Sequence, residues 1–191
     1  MESLTYDLER TTVPELNQFL HKPASELEGQ AVTVIAPNGA HNLAVGVDAP
    51  VRVTIAGHAG YYAGGMNQHA TIEIDGSAGT GVAENMMSGK VHVKGFASNG
   101  AGASAHGGLL VIDGDAGDAL GDSLYEAVLY VRGEVKSLGA DAQYEPMTQA
   151  DLDAVRSLLA AAGMDHDPAS FKRIASARTL YHWNADANQE Y

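Results

Sequence analysis

The feature that most constrains this chain is a glycine that returns at every nineteenth position and closes a short aliphatic run each time. The five runs read VTIAG, IEIDG, VHVKG, LVIDG and LYVRG. Their closing residues are Gly57, Gly76, Gly95, Gly114 and Gly133. A chain needs the same residue class at a fixed period when each repeat lies directly on the previous one, so the pattern predicts a solenoid.

The five runs also align column by column. Two purely aliphatic columns flank a column that is mostly polar or amphipathic. The first aliphatic column holds Val53, Ile72, Val91, Leu110 and Leu129, and the second holds Ile55, Ile74, Val93, Ile112 and Val131. The column between them holds Thr54, Glu73, His92, Val111 and Tyr130. This alternation is typical of a β-strand with one buried face.

Small residues recur seven positions after each closing glycine, where the chain must turn. They are Gly64, Ala83, Gly102, Gly121 and Ala140. Strands, corners and period together predict an all-β solenoid, a parallel β-helix of about six 19-residue coils over residues 31–145. The closing glycines are expected to be corner residues with φ > 0. Asn38 stands one full period before Gly57 and extends the pattern to an earlier coil.

Residues 1–30 are predicted to form an N-terminal segment with a short capping helix. The sequence Thr12-Val-Pro-Glu15 has the pattern of a capping box with proline in the first turn. At the other end of the solenoid, Val135 and Lys136 replace the small residues of earlier coils. We therefore expect the last coil to fray.

Residues 146–191 are predicted to hold further helices and a tail. Thr148-Gln-Ala-Asp151 has the pattern of a helix start. Pro168 is expected to begin another turn or helix that carries Phe171 and Ile174. Such flanking segments would cover the open ends of a solenoid.

The charge balance and the absence of cysteine narrow the function. The chain has 11 Lys and Arg against 24 Asp and Glu, a formal net charge of −13, and no Cys. An acidic chain repels phosphate backbones and anionic membrane surfaces, which disfavours nucleic-acid and membrane partners. Without cysteine the chain has no disulfide, thiolate metal site or Cys nucleophile. No signal peptide or transmembrane pattern is recognised, and a cytoplasmic location is expected.

Three glycine-rich stretches carry a resemblance to a known family. They are GHAGYYAGG at 57–65, AGTGVAENMMSGKVHVKG at 78–95 and ASAHGGLLVIDGDAG at 103–117. They resemble the GXGXG β-helix domain that ends the large subunit of glutamate synthase and recurs as a subunit of formylmethanofuran dehydrogenase. The chain is most similar to the small separate subunit of the glutamate synthase-like N-methylglutamate synthases of methylamine metabolism, and residues 176–191 share in that similarity.

The resemblance implies a right-handed β-helix that catalyses no reaction itself. It implies a non-catalytic scaffolding subunit that holds an amidotransferase-like subunit and an FMN subunit in register and walls a passage for ammonia or methylamine. This chain would then bind no cofactor, and FMN, with an iron–sulfur cluster as a further candidate, would belong to partner subunits.

Two alternatives to this role stay open. One is the equivalent β-helix subunit of a formylmethanofuran dehydrogenase or formyltransferase/hydrolase complex. The other is a stand-alone β-helix enzyme, either an acyltransferase or a zinc lyase. The period of the glycines disfavours the acyltransferase, because nineteen is not a multiple of six and hexapeptide prisms step in multiples of six.

Several patterns that could carry chemistry fit a structural role better. Residues 100–105 match a dinucleotide GxGxxG/A fingerprint but leave no room for the helix that must follow. The stretch DGDAGD at 113–118 resembles a calcium loop without the spacing of an EF-hand. Among eight histidines only His69 and His106 come near one column, so no metal site is predicted. No G-x-S-x-G elbow is present.

Large side chains, in a molecule otherwise poor in them, are candidates for a partner interface. They are Tyr61, Tyr62, Met66, Met86, Met87, Tyr181 and Trp183. Those at corners cannot all fit inside a narrow prism, and amphipathic aromatics anchor contacts well. The alternative is that some of them cover the ends of the solenoid or pack under the terminal helices. The sequence leaves both interpretations open.

Overall fold

A computed structural model describes residues 3–178 of the chain. The helices are α1 Val13–Leu20, α2 Ala24–Leu27 and α3 Gln149–Ala161, with a 3₁₀ turn at Pro168–Ser170. The strands are β1 Ser3–Asp7, β2 Ala31–Ile35, β3 Arg52–Ile55, β4 Thr71–Ile74, β5 Lys90–Val93, β6 Leu109–Ile112, β7 Val128–Val131, β8 Ala142–Glu145 and β9 Lys172–Ser176.

The strands form one sheet that follows the chain coil by coil. Strands β1 to β7 pair in sequence order, and every pair is parallel. Ala31 of β2 pairs with Arg52 of β3, a step slightly longer than the glycine period, and each later step to β7 equals that period. This arrangement confirms the predicted all-β solenoid with flanking helices, with five complete turns from β2 to β7 and an incomplete sixth.

The two aliphatic columns lie inside the stack, as the alternation predicts. Every member of both columns is buried. A second ladder runs parallel to the first along a neighbouring side of the coils. It consists of isolated parallel bridges that join Ala59, Ala78, Ala97, Ala116 and Val135 in order. The interior is therefore a narrow prism with branched side chains on one wall and mainly alanine on the next.

Close packing between coils, rather than a positive φ, explains the closing glycines. Among the five, Gly57 has a φ in the left-handed region, and for the other four the prediction is wrong. A Cβ at Gly114 would lie 2.6 Å from the carbonyl oxygen of Gly95, and one at Gly76 would lie 2.7 Å from the carbonyl carbon of Gly57. Since these neighbours are backbone atoms, a side chain in this column would push the coils apart.

Positive φ values fall instead at alternate residues of the following corner. In one coil they occur at Gly81 (75°), Ala83 (58°) and Asn85 (54°). The predicted corner residues of other coils, Gly64, Gly102 and Gly121, have φ values of 64–65°. The alternation directs successive donors to opposite neighbours: the Gly81 N–H bonds the carbonyl of Asn99 above it, and the Ala83 N–H bonds that of Ala63 below.

The last coil stays paired, so the expectation that it frays is wrong. The Lys136 N–H donates to the carbonyl of Ala116 at 2.9 Å, and the Gly139 N–H donates to that of Leu120 at 2.8 Å. Leu138 forms a parallel bridge with Leu120, one position short of the full period. The coil is therefore shortened at its corner without leaving the stack.

The N-terminal segment covers the first coil and adds a strand that the sequence pattern missed. Thr12 and Glu15 form the capping box of α1, and Leu16 and Leu20 are buried beneath the first coil. Strand β1 extends the sheet by pairing with β2. The turn between them, from Ser3 to its partner Ala31, is longer than a coil because α1 and α2 replace its remaining sides.

The C-terminal segment closes the other end by reversing direction. Thr148 and Asp151 form a capping box at the predicted start of α3. The prediction places Ile174 in a turn or helix that begins at Pro168, but Ile174 lies in β9, which pairs antiparallel with both β7 and β8. Pro168 begins only a 3₁₀ turn, and Phe171 directly follows it. Within residues 3–178 no helix combines the length and apolarity that crossing a bilayer requires.

Candidate functional site

An aromatic patch covers one corner of the early coils. The rings of His41 and Tyr61 stack with their centroids 4.4 Å apart, and Tyr62 meets Tyr61 edge-on at 6.3 Å. Both tyrosines and Met66 are exposed. Three of the predicted interface residues thus lie together on the surface of the chain.

Glycines of the next coil make room for these rings. A Cβ at Gly79 would lie 3.0 Å from the Tyr61 ring, and one at Gly81 would lie 2.5 Å from that of Tyr62. Tyr62 also has a φ of 61°, a conformation that costs a non-glycine residue about 1–2 kcal/mol. Later coils place Gly81 and Gly100 at this position. Tyr62 therefore occupies a position where the coil imposes a backbone conformation that favours glycine.

The remaining predicted interface residues divide into three groups. Met86 is fully buried in the core, which corrects its assignment to a surface. Met87, its neighbour, is half-buried. Tyr181 and Trp183 lie outside the residues that the structure describes.

A cluster of buried polar groups lies on the outward side of strands β4 to β6. The Nε2 atom of His92 lies 2.8 Å from Oδ2 of Asp113, and each residue is only 1% exposed. Because an ionised carboxylate only accepts, His92 donates this hydrogen bond through Nε2. The other two polar atoms, His92 Nδ1 and Asp113 Oδ1, are buried with no hydrogen-bond partner among the described residues.

A lysine links two carboxylates beside this pair. Lys94 Nζ lies 2.5 Å from Oε1 of Glu73 and 2.7 Å from Oδ1 of Asp75. Burial alone would lower the pKa of Lys94, but the two carboxylates outweigh it and raise the pKa above its ordinary value. Glu73 is almost fully buried, so the ion pair satisfies a charge that would otherwise be costly.

A second buried network joins the solenoid to its C-terminal cap. The Tyr130 hydroxyl donates to Asp151 Oδ1 at 2.6 Å, and Arg173 Nε donates to the same oxygen at 3.1 Å. Arg173 also pairs with Glu145. Although burial opposes ionisation, hydrogen bonds from Thr148 and Tyr130 lower the pKa of Asp151 to about 2. Burial, followed by the bond to Asp151, raises the pKa of Tyr130.

These buried groups explain why the middle column of the strands is less exposed than its alternation predicts. Val111 and Tyr130 pack against Val155 and Leu158 of α3 and against Phe171. Both faces of the later strands are therefore covered, where the sequence pattern predicts one. The sequence indicates this covered outer face only weakly, because the middle column becomes apolar only in its last two members, Val111 and Tyr130.

Two of the histidines form hydrogen bonds between successive coils. The Nδ1 atom of His58 accepts the Ser77 N–H at 2.9 Å, and that of His41 accepts the Tyr61 N–H at 2.8 Å. His69 lies 3.4 Å from Asp48 at an exposed position. Among residues 3–178, no three His, Asp or Glu side chains are grouped so that they could hold a metal ion.

The DGDAGD stretch and the glycines at 100–105 also have structural roles in the coils. Asp113 is buried against His92, whereas Asp115 Oδ1 accepts the Glu134 N–H at 2.8 Å and Asp118 pairs with Lys136 at 2.6 Å. The three carboxylates of the DGDAGD stretch are thus engaged separately. Gly100 and Gly102 form part of a corner, since turns run from residue 99 to residue 104, ahead of β6.

Comparison with known proteins finds a local similarity. A stretch of 66 residues is 43% identical to Protein GlxC of Rhizobium meliloti (strain 1021). The match covers 35% of this chain and 29% of that protein, so the chain spans under a third of its relative. No protein-family profile matches the chain, and no solved structure matches it.

Proposed function

We propose that this chain is a scaffolding subunit of a multisubunit glutamate synthase-like enzyme. The observation that carries the proposal is the unbroken parallel ladder from β1 to β7, in which each coil is hydrogen-bonded to the next. Coils about 4.8 Å apart in such a ladder form a stiff prism, because bending it would break main-chain hydrogen bonds along one side. A stiff prism keeps two partners at a fixed distance and orientation.

The local similarity to Protein GlxC supports the glutamate synthase-like setting. Within it, the proposed partners are an amidotransferase-like subunit that handles nitrogen and a subunit that binds FMN, and the proposed complex is of the N-methylglutamate synthase type. The alanine column is buried, so a partner would contact the coils through their exposed corners and outward-facing side chains. A passage for ammonia or methylamine along such a contact belongs to the same proposal.

The test begins with purification of the untagged chain from its own cells. We expect a flavoprotein and an amidotransferase-like polypeptide to co-elute with it in a constant ratio, with all flavin on the flavoprotein. The complex is then reassembled without this chain. Each half-reaction is expected to continue, whereas transfer of nitrogen from one active site to the other is lost.

Two variants sharpen the reassembly. Gly114→Ala, which forces a side chain against the backbone of the coil below, should support less coupled transfer than Gly100→Ala, whose Cβ would meet nothing within 4 Å. Full coupling in the absence of the chain would refute the scaffold role. Turnover of substrate or stoichiometric flavin binding by the isolated chain would refute it as well.

A further inference from the structure

One surface column of the solenoid uses side chains to accept hydrogen bonds from the coil above. His58 Nδ1 accepts the Ser77 N–H at 2.9 Å, and Ser77 Oγ accepts the Phe96 N–H at 3.2 Å. Further along, Asp115 Oδ1 accepts the Glu134 N–H at 2.8 Å. These side chains satisfy backbone donors that face the column.

Phe96 interrupts this column. It occupies the position of an acceptor between Ser77 and Asp115, and a phenyl ring cannot accept from the next coil as those side chains do. Its side chain is 55% exposed, the largest exposed fraction among the large hydrophobic residues that the structure describes. Departures from a local rule of the fold concentrate at functional positions. The ring therefore points to a use outside the folded chain.

A cleft of about 590 Å³ lies beside the ring. Its lining includes Phe96, Ala97, Ala116, Gly117 and Val135. Ala97 and Ala116 are buried, so they place no projecting side chain over the coil backbone at the floor of the cleft. An extended segment can therefore lie across the coils with one of its side chains against the phenyl ring.

The charges at this cleft select the chemistry of the occupant. Asp115 and Glu134, which also line the cleft, are exposed carboxylates. The one cation among the lining residues, Lys136, is already paired with Asp118. The rim is thus negative, in a chain whose formal net charge is −13. An apolar centre with a negative rim complements a segment that carries an apolar side chain next to lysine or arginine.

We propose that the Phe96 cleft, lined by the residues named above, docks such a basic and apolar segment of a partner protein. The proposal deepens the scaffold role, on which it rests for the identity of the partner as a subunit of the complex. The aromatic ring would be the anchor of the contact, with arginine or lysine placed against Asp115, Glu134 or the face of the ring.

The test places a photo-reactive phenylalanine analogue at position 96 of the full chain, in the cells that make it. Cross-linked products are digested and the captured peptide is sequenced. The matched control carries the analogue at Tyr144, which is 53% exposed but lies on β8. We expect position 96, and not position 144, to capture one peptide that contains lysine or arginine beside an apolar residue.

Variants then measure the contact with the captured peptide as a synthetic probe. Phe96→Ser restores the acceptor of the column, so it should retain the thermal stability of the parent and lose at least about tenfold in affinity. Phe96→Tyr keeps the ring and should bind within about threefold of the parent. Glu134→Gln should weaken binding by about two- to fivefold and reduce its dependence on salt.

The outcomes separate this inference from the proposed function. Capture of an acidic peptide, of a second copy of this chain, or of the same products at both positions would overturn the docking site. The docking site would also be overturned if the Phe96→Ser variant binds the peptide probe as tightly as the parent does and the complex still assembles. A basic, apolar peptide from a protein that is neither of the two proposed partners would support the docking site and refute the proposed complex.

Discussion

The Nε2 atom of His92 lies 2.8 Å from Oδ2 of Asp113, and both side chains are 1% exposed. The pair joins adjacent coils on the outward side of the sheet. Its second pair of polar atoms, His92 Nδ1 and Asp113 Oδ1, has no hydrogen-bond partner among the described residues. Each residue is therefore tolerated in the interior only because the other is present.

Replacing one member of this pair should destabilise the fold strongly. His92→Val leaves the Asp113 carboxylate buried without its donor, and we expect a loss of about 3–5 kcal/mol in the free energy of unfolding. Urea denaturation at neutral pH measures the change. The double variant His92→Val/Asp113→Val removes both polar groups and should return to within about 1 kcal/mol of the parent. Additive losses in the double variant would show that the two residues do not depend on each other.

The bond between Tyr130 and Asp151 predicts an acid-sensitive attachment of the C-terminal cap. The pKa of Asp151 falls from 3.8 to about 2 on folding, so its contribution is fully present above the unfolded value and is lost as the pH falls from about 4 to 2. Asp151→Asn should remove this part of the pH dependence. Urea midpoints at about pH 5 and about pH 2.5 measure it.

Asp153 supplies the control for the acid experiment. It lies on the same helix, is exposed, and forms its one ion pair among the described residues with Arg156. Asp153→Asn should keep the acid dependence of the parent. If Asp151→Asn and Asp153→Asn behave alike, Asp151 does not hold the cap in the way proposed.

Two glycines separate steric from conformational requirements. A Cβ at Gly114 would lie within 2.6–2.8 Å of the Gly95 and Phe96 backbone, so Gly114→Ala should cost about 2–3 kcal/mol through overpacking. Gly100 has a φ of 66° with nothing within 4 Å, so Gly100→Ala should cost about 1 kcal/mol from its conformation alone. Equal thermal shifts in the two variants would contradict the assignment of Gly114 to close stacking.

Of the two exposed tyrosines at this corner, we expect Tyr62 to destabilise the fold. Tyr62→Gly removes the left-handed strain and should leave the free energy of unfolding unchanged or raise it by up to about 1 kcal/mol. Tyr61→Gly removes the stacking on His41 and should lower it. Calorimetry of both variants checks the order. A clear loss in Tyr62→Gly would show that the ring serves chiefly to cover Gly81.

The sequence predicts those parts of the fold that depend on the period. Ile72 and Ile74 are buried because any residue in their columns faces the inside of every coil. The period locates the closing glycines but does not explain them, because a period alone does not distinguish a turn from a close contact. Gly114 illustrates the difference: its close neighbour is Gly95, the equivalent residue of the coil below.

The parts that the sequence did not predict depend on contacts outside the repeat. The strand alternation predicts that Val111 and Tyr130 face solvent, but α3 and Phe171 cover this side of the later strands. Ile174 fits a helical spacing with Phe171, yet the free edges of β7 and β8 recruit it into a strand. Phe96 is plain in the sequence, but its meaning appears only once Ser77 and Asp115 are seen to accept hydrogen bonds on either side of it.

Because the ladder has a regular step, the length of this molecule along the solenoid axis is set by its number of coils. Every repeat advances the surface by one strand spacing of about 4.8 Å, and each surface column recurs at that interval. Adding or deleting a whole coil would therefore move two bound partners apart or together in equal increments, with the contacts at each end unaltered. The antiparallel strand β9 ends the series of parallel strands by pairing with β7. The distance between two points on this surface is thus set by the number of repeats between them, independently of the residues that stand at those points.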